Sequence, residues 1–144
     1  MTTQKDIAIL LLRLALAAGF LSSVASRLSL WGEYSSGWEK FLKYTGEVNS
    51  YAPASLIPFL AITATCFETG FGVLLLIGLM TRFAAVGSSV LTLIFALAMA
   101  YSFGLKEPLD YSVFVFSAAA FLLSTATQYR WSIDEKFSQE LEKI

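Results

Sequence analysis

The stretch FAAVGSSVLTLIFALAMAYSFG, residues 83 to 104, contains no charged side chain. A helix rises about 1.5 Å per residue, so about 20 predominantly apolar residues are enough to cross the hydrocarbon core of a bilayer. The stretch is therefore predicted to be a membrane-spanning helix.

Three further segments meet the same requirement: residues 7–30, 56–80 and 109–127. Arg82 alone separates the second predicted span from the third, and residues 106–108 separate the third from the fourth. Connections this short join antiparallel neighbours. The sequence thus predicts an all-α integral membrane protein, an up-down bundle of four transmembrane helices with both termini on one side.

The composition agrees with a membrane protein of a single domain over residues 1–144. Hydrophobic residues make up 56% of the chain and charged residues only 15%, whereas a soluble domain carries about 25% charged residues. The absence of histidine and the presence of one cysteine, Cys66, argue against a disulfide within the chain and against a metal site. Cys66 is interpreted as a small buried hydrophobe. A net charge of −1 gives no basic surface for nucleic acid.

The orientation of the bundle is predicted from its lysines and arginines. Five lie on the side of the termini and four on the other side: Lys5, Arg82, Arg130, Lys136 and Lys143 against Arg27, Lys40, Lys43 and Lys106. Because cytoplasmic loops carry the excess of positive charge, both termini are predicted to be cytoplasmic. Arg82, in the very short connection, contributes most to this assignment.

Two segments outside the spans show amphipathic patterns. Trp38, Phe41 and Thr45 recur at helical spacing, which predicts a short interfacial helix in the first loop. After the fourth span, Ser132 followed by Glu135 is typical of a capping box. We therefore expect an amphipathic C-terminal tail helix lying along the inner interface.

Two charges, Arg13 and Glu68, lie well away from the ends of the predicted spans, where a charged group is costly unless it is paired or hydrated. Glu68 lies twelve residues from both ends of its span, and Arg13 lies six residues into the first span. The two are expected to pair, either as an ion pair that only fixes helix register or as a site for a polar head group or a proton. The candidate ligand-binding residues are Arg13, Thr65, Glu68, Gly72 and Tyr101, with Glu68 also the candidate for proton exchange.

A second polar cluster is predicted at the outer rim of the bundle. Arg27, Glu107 and Asp110 lie near one level in the predicted topology. Arg27 with Asp110 is expected to close the outer end of the bundle.

One stretch resembles the signature of a known family. Residues 68–82, ETGFGVLLLIGLMTR, are followed by two alanines, and residues 12–16, LRLAL, open the first span. Both resemble the DoxX family of small four-span bacterial membrane proteins. The resemblance marks the turn residues Thr81 and Arg82 together with Arg13 and Glu68, and it implies a location in the bacterial cytoplasmic (inner) membrane.

The resemblance also implies a function, since relatives are named for association with quinone-linked membrane oxidoreductases. The leading hypothesis is a membrane subunit of a redox system that binds a quinone or similar lipophilic ligand near Arg13 and Glu68. Because the chain has no histidine and no cysteine pair, redox chemistry would need a bound organic cofactor or a redox-enzyme partner subunit. The alternatives left open are a non-catalytic membrane anchor or assembly partner, and a small transporter. Assembly into a homo-oligomer is left undecided in each case.

Overall fold

The computed structural model describes residues 3–141, and every regular element in that range is helical. Two single 3₁₀ turns, Gly32–Tyr34 and Ala54–Leu56, accompany seven α-helices. The helices are α1 Gln4–Arg27, α2 Trp38–Val48, α3 Ile57–Ile77, α4 Thr81–Phe103, α5 Lys106–Asp110, α6 Val113–Ser124 and α7 Ile133–Leu141.

Three segments of the described chain are long and apolar enough to cross a membrane, namely Gln4–Arg27, Ala54–Ile77 and Thr81–Phe103. The fourth predicted segment, residues 109–127, contains a shorter helix. α5 ends at Asp110, and Ser112 adopts a left-handed backbone with φ of 55°, which interrupts the helix before α6 begins. The 12 residues of α6 reach only about 18 Å at 1.5 Å per residue.

The bundle consists of two closely packed helix pairs, α1 with α3 and α4 with α6. Small residues lie in the core between the two pairs: Ala17, Ala84, Ala85 and Ala120 are fully buried. Such residues let helix backbones approach closely where the surrounding lipid gives no hydrophobic drive for association. The small residues of the sequence thus explain the tight pairing.

Polar side chains lie inside the bundle and large apolar ones outside. Ser89 and Ser117 are buried, and the Ser117 hydroxyl donates to the Ser89 carbonyl oxygen at 2.9 Å, tying α4 to α6. Phe59 on α3 and Leu97 on α4 are more than half exposed. This distribution fits a lipid-facing surface, because lipid accepts apolar side chains and a buried polar group needs a partner.

Cys66 also lies on the outer surface, where its exposure contradicts the prediction of a buried hydrophobe. Its place in α3 puts it between two exposed neighbours on the outside of the bundle, Ile62 and Phe67. An apolar sequence context did not mean burial here, because apolar residues cover the outside of this bundle.

The tight turn between α3 and α4 is held by the tail of the chain. Gly78 ends α3 in the left-handed conformation, with φ of 70°. The Asp134 carboxylate then accepts hydrogen bonds from the backbone N–H groups of Met80 and Thr81, both at 2.8 Å. Asp134 therefore does for α4 what an N-cap side chain does, but from a segment more than fifty residues away.

The predicted capping box of the tail helix is half formed. The Ser132 hydroxyl accepts the backbone N–H of Glu135 at 3.1 Å, as a box requires. The Glu135 carboxylate, however, accepts from the backbone N–H of Trp131 at 2.8 Å instead of from that of Ser132. α7 begins directly after this cap, at Ile133.

α2 is present where the sequence predicted a helix in the first loop. It contacts α3 and α4, and its buried residues, Thr45 and Val48, face the bundle. α2 therefore covers the end of the bundle at which α1 finishes and α3 begins.

Candidate functional site

A buried ion pair joins the end of α1 to the middle of α3. Nη2 of Arg27 donates to Oε1 of Glu68 at 3.0 Å and lies 2.8 Å from Oε2, while Nη1 donates to the Thr65 hydroxyl at 3.2 Å. The side chains are 11% and 3% exposed for Arg27 and Glu68. Burial this deep is tolerated for an acid and a base only because each neutralises the other.

Glu68 keeps one unused acceptor. Oε2 is buried and, among residues 3–141, receives no hydrogen bond of good geometry, although it lies close to Arg27. On the other partner, Nη1 and Nη2 are engaged and Nε donates to none of the described residues. One nitrogen of Arg27 and one oxygen of Glu68 therefore make no well-aligned hydrogen bond within residues 3–141.

The Phe41 ring of α2 packs against the Arg27 guanidinium. The Arg27 Cζ lies 3.8 Å from the centroid of the Phe41 ring, a cation–π contact. The Thr65 hydroxyl that accepts from Arg27 itself donates to the Ala61 carbonyl oxygen at 2.8 Å, which orients its lone pairs. Arg27 is thus positioned by α2 and α3 together.

The expected pairing of Arg13 with Glu68 is wrong. Arg13 instead donates through Nη2 to the Trp131 carbonyl oxygen at 2.8 Å, and Asp134 supplies the nearby opposing charge. The prediction relied on two long side chains to bridge the axial distance between Arg13 and Glu68, but Arg13 lies level with the end of α3, where a Cβ at Gly78 would meet its guanidinium. Glu68, about ten residues before Gly78 in α3, consequently lies level with the last turn of α1, where Arg27 is.

A cavity of about 590 Å³ opens next to the Arg27–Glu68 pair, between the two helix pairs and beneath α2. Most of its wall is apolar, including Phe20, Leu91, Phe95, Ala98, Met99 and Phe116. Besides the ion pair, the wall carries hydroxyl and amide groups, from Ser23, Tyr44, Thr45, Asn49, Thr63, Thr92 and Tyr111. Phe67 and Ile94 belong to the wall and are at least half exposed, so the cavity reaches the outer surface between α3 and α4.

The other predicted ligand-binding residues lie apart from the cavity. Thr65 does not line the cavity, but its hydroxyl accepts a hydrogen bond from Arg27, which does. Gly72 packs against Phe20 and Leu21 of α1, and a Cβ there would come within 2.9 Å of the Leu21 side chain. Tyr101 is 74% exposed and contacts the ring of Tyr51 edge-on.

The predicted outer-rim cluster does not form. Asp110 pairs with Lys106, one turn away in α5, and Arg27 turns inward to Glu68. Glu107 lies close enough to Tyr44 for its charge to act on that phenol. The expected contact between Arg27 and Asp110 is wrong, because a buried carboxylate without a partner attracts the nearby guanidinium more strongly than an exposed one.

Thr81 and Arg82, the marked turn residues, lie at the opposite end of the bundle from the cavity. Thr81 is fully buried, and its backbone is held by Asp134. Arg82 is exposed and acts electrostatically on Tyr129. Together with Arg13 these residues form the junction between the α3–α4 turn and the tail.

Sequence reasoning missed some of the cavity wall. Phe41 was assigned to an interfacial face of α2, yet it touches Arg27. Thr92 lies in the charge-free segment and, as a single hydroxyl among apolar residues, gave no signal. Asn49, directly after α2, had no periodic pattern to mark it.

The apolar helices, the polar interior and the intramembrane ion pair define a helical membrane protein. The DoxX family profile matches residues 8–101, which run from the first turns of α1 to nearly the end of α4. The chain belongs to the DoxX family. No curated protein and no solved structure gave a significant match to it. Arg27, Thr65 and Glu68 all fall within the matched segment.

Proposed function

We propose that this DoxX-family protein binds a lipophilic molecule with a polar head group, a quinone or quinol, in the cavity beside Arg27 and Glu68. The observation that carries the proposal is the buried Oε2 of Glu68, which is ion-paired with Arg27 but accepts no well-aligned hydrogen bond from the described residues, next to a large apolar cavity. A buried oxygen without a hydrogen bond costs stability. Arg27 offsets part of that cost, and a ligand hydroxyl that donates to Oε2 would offset the rest.

The size and wall of the cavity suit such a ligand. Its volume of about 590 Å³ falls within the roughly 300–1,000 Å³ usual for small-molecule pockets, which are mostly apolar with a few polar groups. The rings of Phe20, Phe95 and Phe116 supply flat apolar surface for a head-group ring. The opening between Phe67 and Ile94 gives an apolar tail a way out to lipid.

The polar end matches both oxidation states of a quinone. Nε of Arg27 is available to donate to a carbonyl oxygen, and Oε2 of Glu68 to accept from a hydroxyl. Glu68 would hold the exchanged proton, while Arg27 takes the place that the sequence suggested for Arg13. When bound, a quinone carries electrons and protons together, and the electrons would come from a redox-enzyme partner subunit.

The membrane placement follows the same proposal. α5 and α6 together form the fourth crossing, which makes four spans in a bacterial inner membrane with both termini in the cytoplasm. The mean hydropathy of the three long helices supports the other crossings. α2 and α7 would then lie at opposite interfaces, since each is amphipathic and they flank opposite ends of the bundle.

A non-catalytic anchor is the second candidate. α7 exposes Phe137 and Leu141, and its first turn is fixed to the bundle by Asp134. A rigidly attached helix with exposed apolar residues is suited to contact a partner enzyme. This candidate does not need the cavity.

The experiment is a thermal unfolding series on detergent-purified protein with a panel of quinones and quinols. The wild type is compared with Glu68→Gln, which alters the head-group contact, and with Ala98→Leu, which fills the cavity wall. Leu97→Phe is the matched control, because Leu97 is the neighbouring residue on the exposed side of α4.

A ligand at one hundred times its dissociation constant should stabilise the wild type by about 2.7 kcal/mol. The same shift is expected in Leu97→Phe, with a smaller one in Glu68→Gln and Ala98→Leu. If no quinone or quinol shifts the wild type, or if all four proteins shift equally, the proposal is wrong and the anchor is preferred.

A further inference from the structure

A second cavity lies against Arg27, the basic partner of Glu68. It has a volume of about 460 Å³ and is lined by four serines with Lys40, Arg27, Phe41 and Tyr44: Ser22, Ser23, Ser26 and Ser36. We call it the serine vestibule. Ser23, Arg27, Phe41 and Tyr44 belong to its wall and also to the wall of the larger apolar cavity. These four side chains therefore form a partition between the two cavities.

The serine vestibule differs in chemistry from the cavity behind the partition. Its wall includes four serine hydroxyls and the Lys40 side chain, whereas the larger cavity is mainly aromatic and aliphatic. Liquid water occupies about 30 Å³ per molecule and needs two to four polar partners in a protein. The vestibule has room for several water molecules and supplies the partners.

The serine hydroxyls differ in their hydrogen-bond partners, and those without a protein partner are suited to bind water. The Ser26 hydroxyl bonds to the backbone N–H and hydroxyl of Ser36, at 2.9 and 3.2 Å, and so ties α1 to the loop. The hydroxyls of Ser22 and Ser23 make no hydrogen bond to any residue in the described part of the chain. On a membrane-spanning helix, an exposed hydroxyl without a protein partner is costly against lipid.

We propose that the serine vestibule is a hydrated route that brings water, and the protons it carries, from the aqueous phase on the α2 side to Glu68. The route ends at the guanidinium of Arg27, whose Nη2 contacts both carboxylate oxygens of Glu68. A proton that reaches Oε2 from this side neutralises the carboxylate, while Arg27 stays charged. The inference needs the ion pair and the vestibule and does not depend on a quinone in the larger cavity.

The charged and titratable groups around the route come from three directions. Lys40 and Tyr44 face it from α2 and Arg27 from α1. Tyr111, between α5 and α6, lines the larger cavity beyond the partition. Apart from Glu68, the groups at the route are cationic or phenolic, so Glu68 is the residue there that holds or releases a proton as a carboxyl group.

Cysteine accessibility tests the proposal in a Cys66→Ser background, which removes the single native thiol. Single cysteines are placed at Ser23 in the vestibule, at Glu68 beyond the partition, and at two controls. Val90 is a lipid-facing control on α4, and Ser117 is a buried control between helices. Sealed vesicles of each orientation are treated with a charged, membrane-impermeant methanethiosulfonate, which reacts with thiolates, and thiolates form in water.

The Ser23→Cys protein should react about tenfold or more faster than the Val90→Cys and Ser117→Cys proteins, because only a hydrated thiol ionises readily. Reaction should occur when the reagent is on the α2 side. The Glu68→Cys protein should also react from that side, and adding Ser23→Leu should slow it severalfold. Adding Ala18→Leu, on the exposed face of the same helix, should leave its rate unchanged.

Two results overturn the inference. If the Ser23→Cys protein reacts no faster than the two controls, the serine vestibule holds no water. A Glu68→Cys protein that reacts at the same rate with and without Ser23→Leu shows that Glu68 is reached by another path. Either result leaves quinone binding to be decided by the thermal series, which uses the neighbouring cavity.

Discussion

Arg27 and Glu68 are neutralised by each other, with 2.8 Å between Nη2 and Oε2, at the junction of two cavities with different walls. The pair lies where α1 ends and α2 covers the bundle. It therefore serves both as a structural tie between α1 and α3 and as the polar end of the larger cavity. The two roles can be separated by mutation.

Removing one partner of this pair should destabilise the protein strongly. Arg27→Ala leaves the Glu68 carboxylate buried without a counter-charge, which typically costs about 3–5 kcal/mol. The double variant Arg27→Met with Glu68→Gln should recover most of that loss, because no charge remains buried. The free energy of unfolding in mixed detergent measures the effect.

The control for this prediction is Lys43→Ala. Lys43 pairs with Glu47 at 3.9 Å, but both side chains are largely exposed, so the change should be within about 1 kcal/mol. A double variant as unstable as Arg27→Ala alone would show that packing of the guanidinium, and not its charge, holds the helices together.

Gly78→Ala should be severely destabilising, whereas Gly70→Ala should be nearly neutral. Gly78 has φ of 70°, and a Cβ there would lie 2.4 Å from the Ser132 Cβ and 2.9 Å from the Ser132 Cα. At Gly70, within α3, nothing lies within 4 Å of the added Cβ, and alanine in a helix is favoured over glycine by roughly 0.5–1 kcal/mol. Thermal melts of the two variants side by side test the difference. Equal melting temperatures would mean that the tail does not pack on the turn as described.

Asp134→Ala should loosen the tail and weaken the start of α4. The Asp134 carboxylate accepts two backbone N–H groups, and the loss of a helix-capping side chain costs about 0.5–2 kcal/mol. Hydrogen exchange at Met80 and Thr81 should accelerate, since both amides lose their acceptor. Glu140→Ala, an exposed change in α7, is the matched control and should leave the exchange at both amides unchanged.

The protein should lose stability at alkaline pH through Tyr44. Burial, together with the nearby Tyr111, Glu107 and Glu47, raises the pKa of Tyr44 above its ordinary 10.0. The unfolded chain therefore releases this proton first, so stability is complete below about pH 10 and falls as the pH rises further. Burial likewise raises the pKa of Tyr129, which adds to the effect.

Tyr44→Phe should reduce the alkaline loss of stability, measured as the melting temperature across a pH series. Tyr34→Phe is the control, because Tyr34 is 91% exposed in the first loop. An alkaline loss that is the same in Tyr44→Phe as in the wild type would contradict the partial burial of the Tyr44 phenol against the bundle.

The sequence by itself determined the helical class, the three long apolar helices and the family. These follow from local properties: runs of apolar residues, a short connection just before Arg82 and the motif of residues 68–82. It also marked Glu68 as a functional candidate, because a carboxylate in an apolar segment is costly wherever its partner lies. The position of α2 was likewise predicted by the spacing of Trp38, Phe41 and Thr45.

Only the tertiary structure decided which arginine pairs with Glu68 and where the cavities lie. The pairing depends on the axial offset of α1 and α3, which is set by close packing at Gly72 and Gly78 rather than by the lengths of the helices. The hydrogen bonds between Asp134 and the backbone of the α3–α4 turn join residues more than fifty positions apart. Contacts of this kind arise from the packing of distant surfaces, and apolar patterning specifies which face is covered but not the register in which two faces meet.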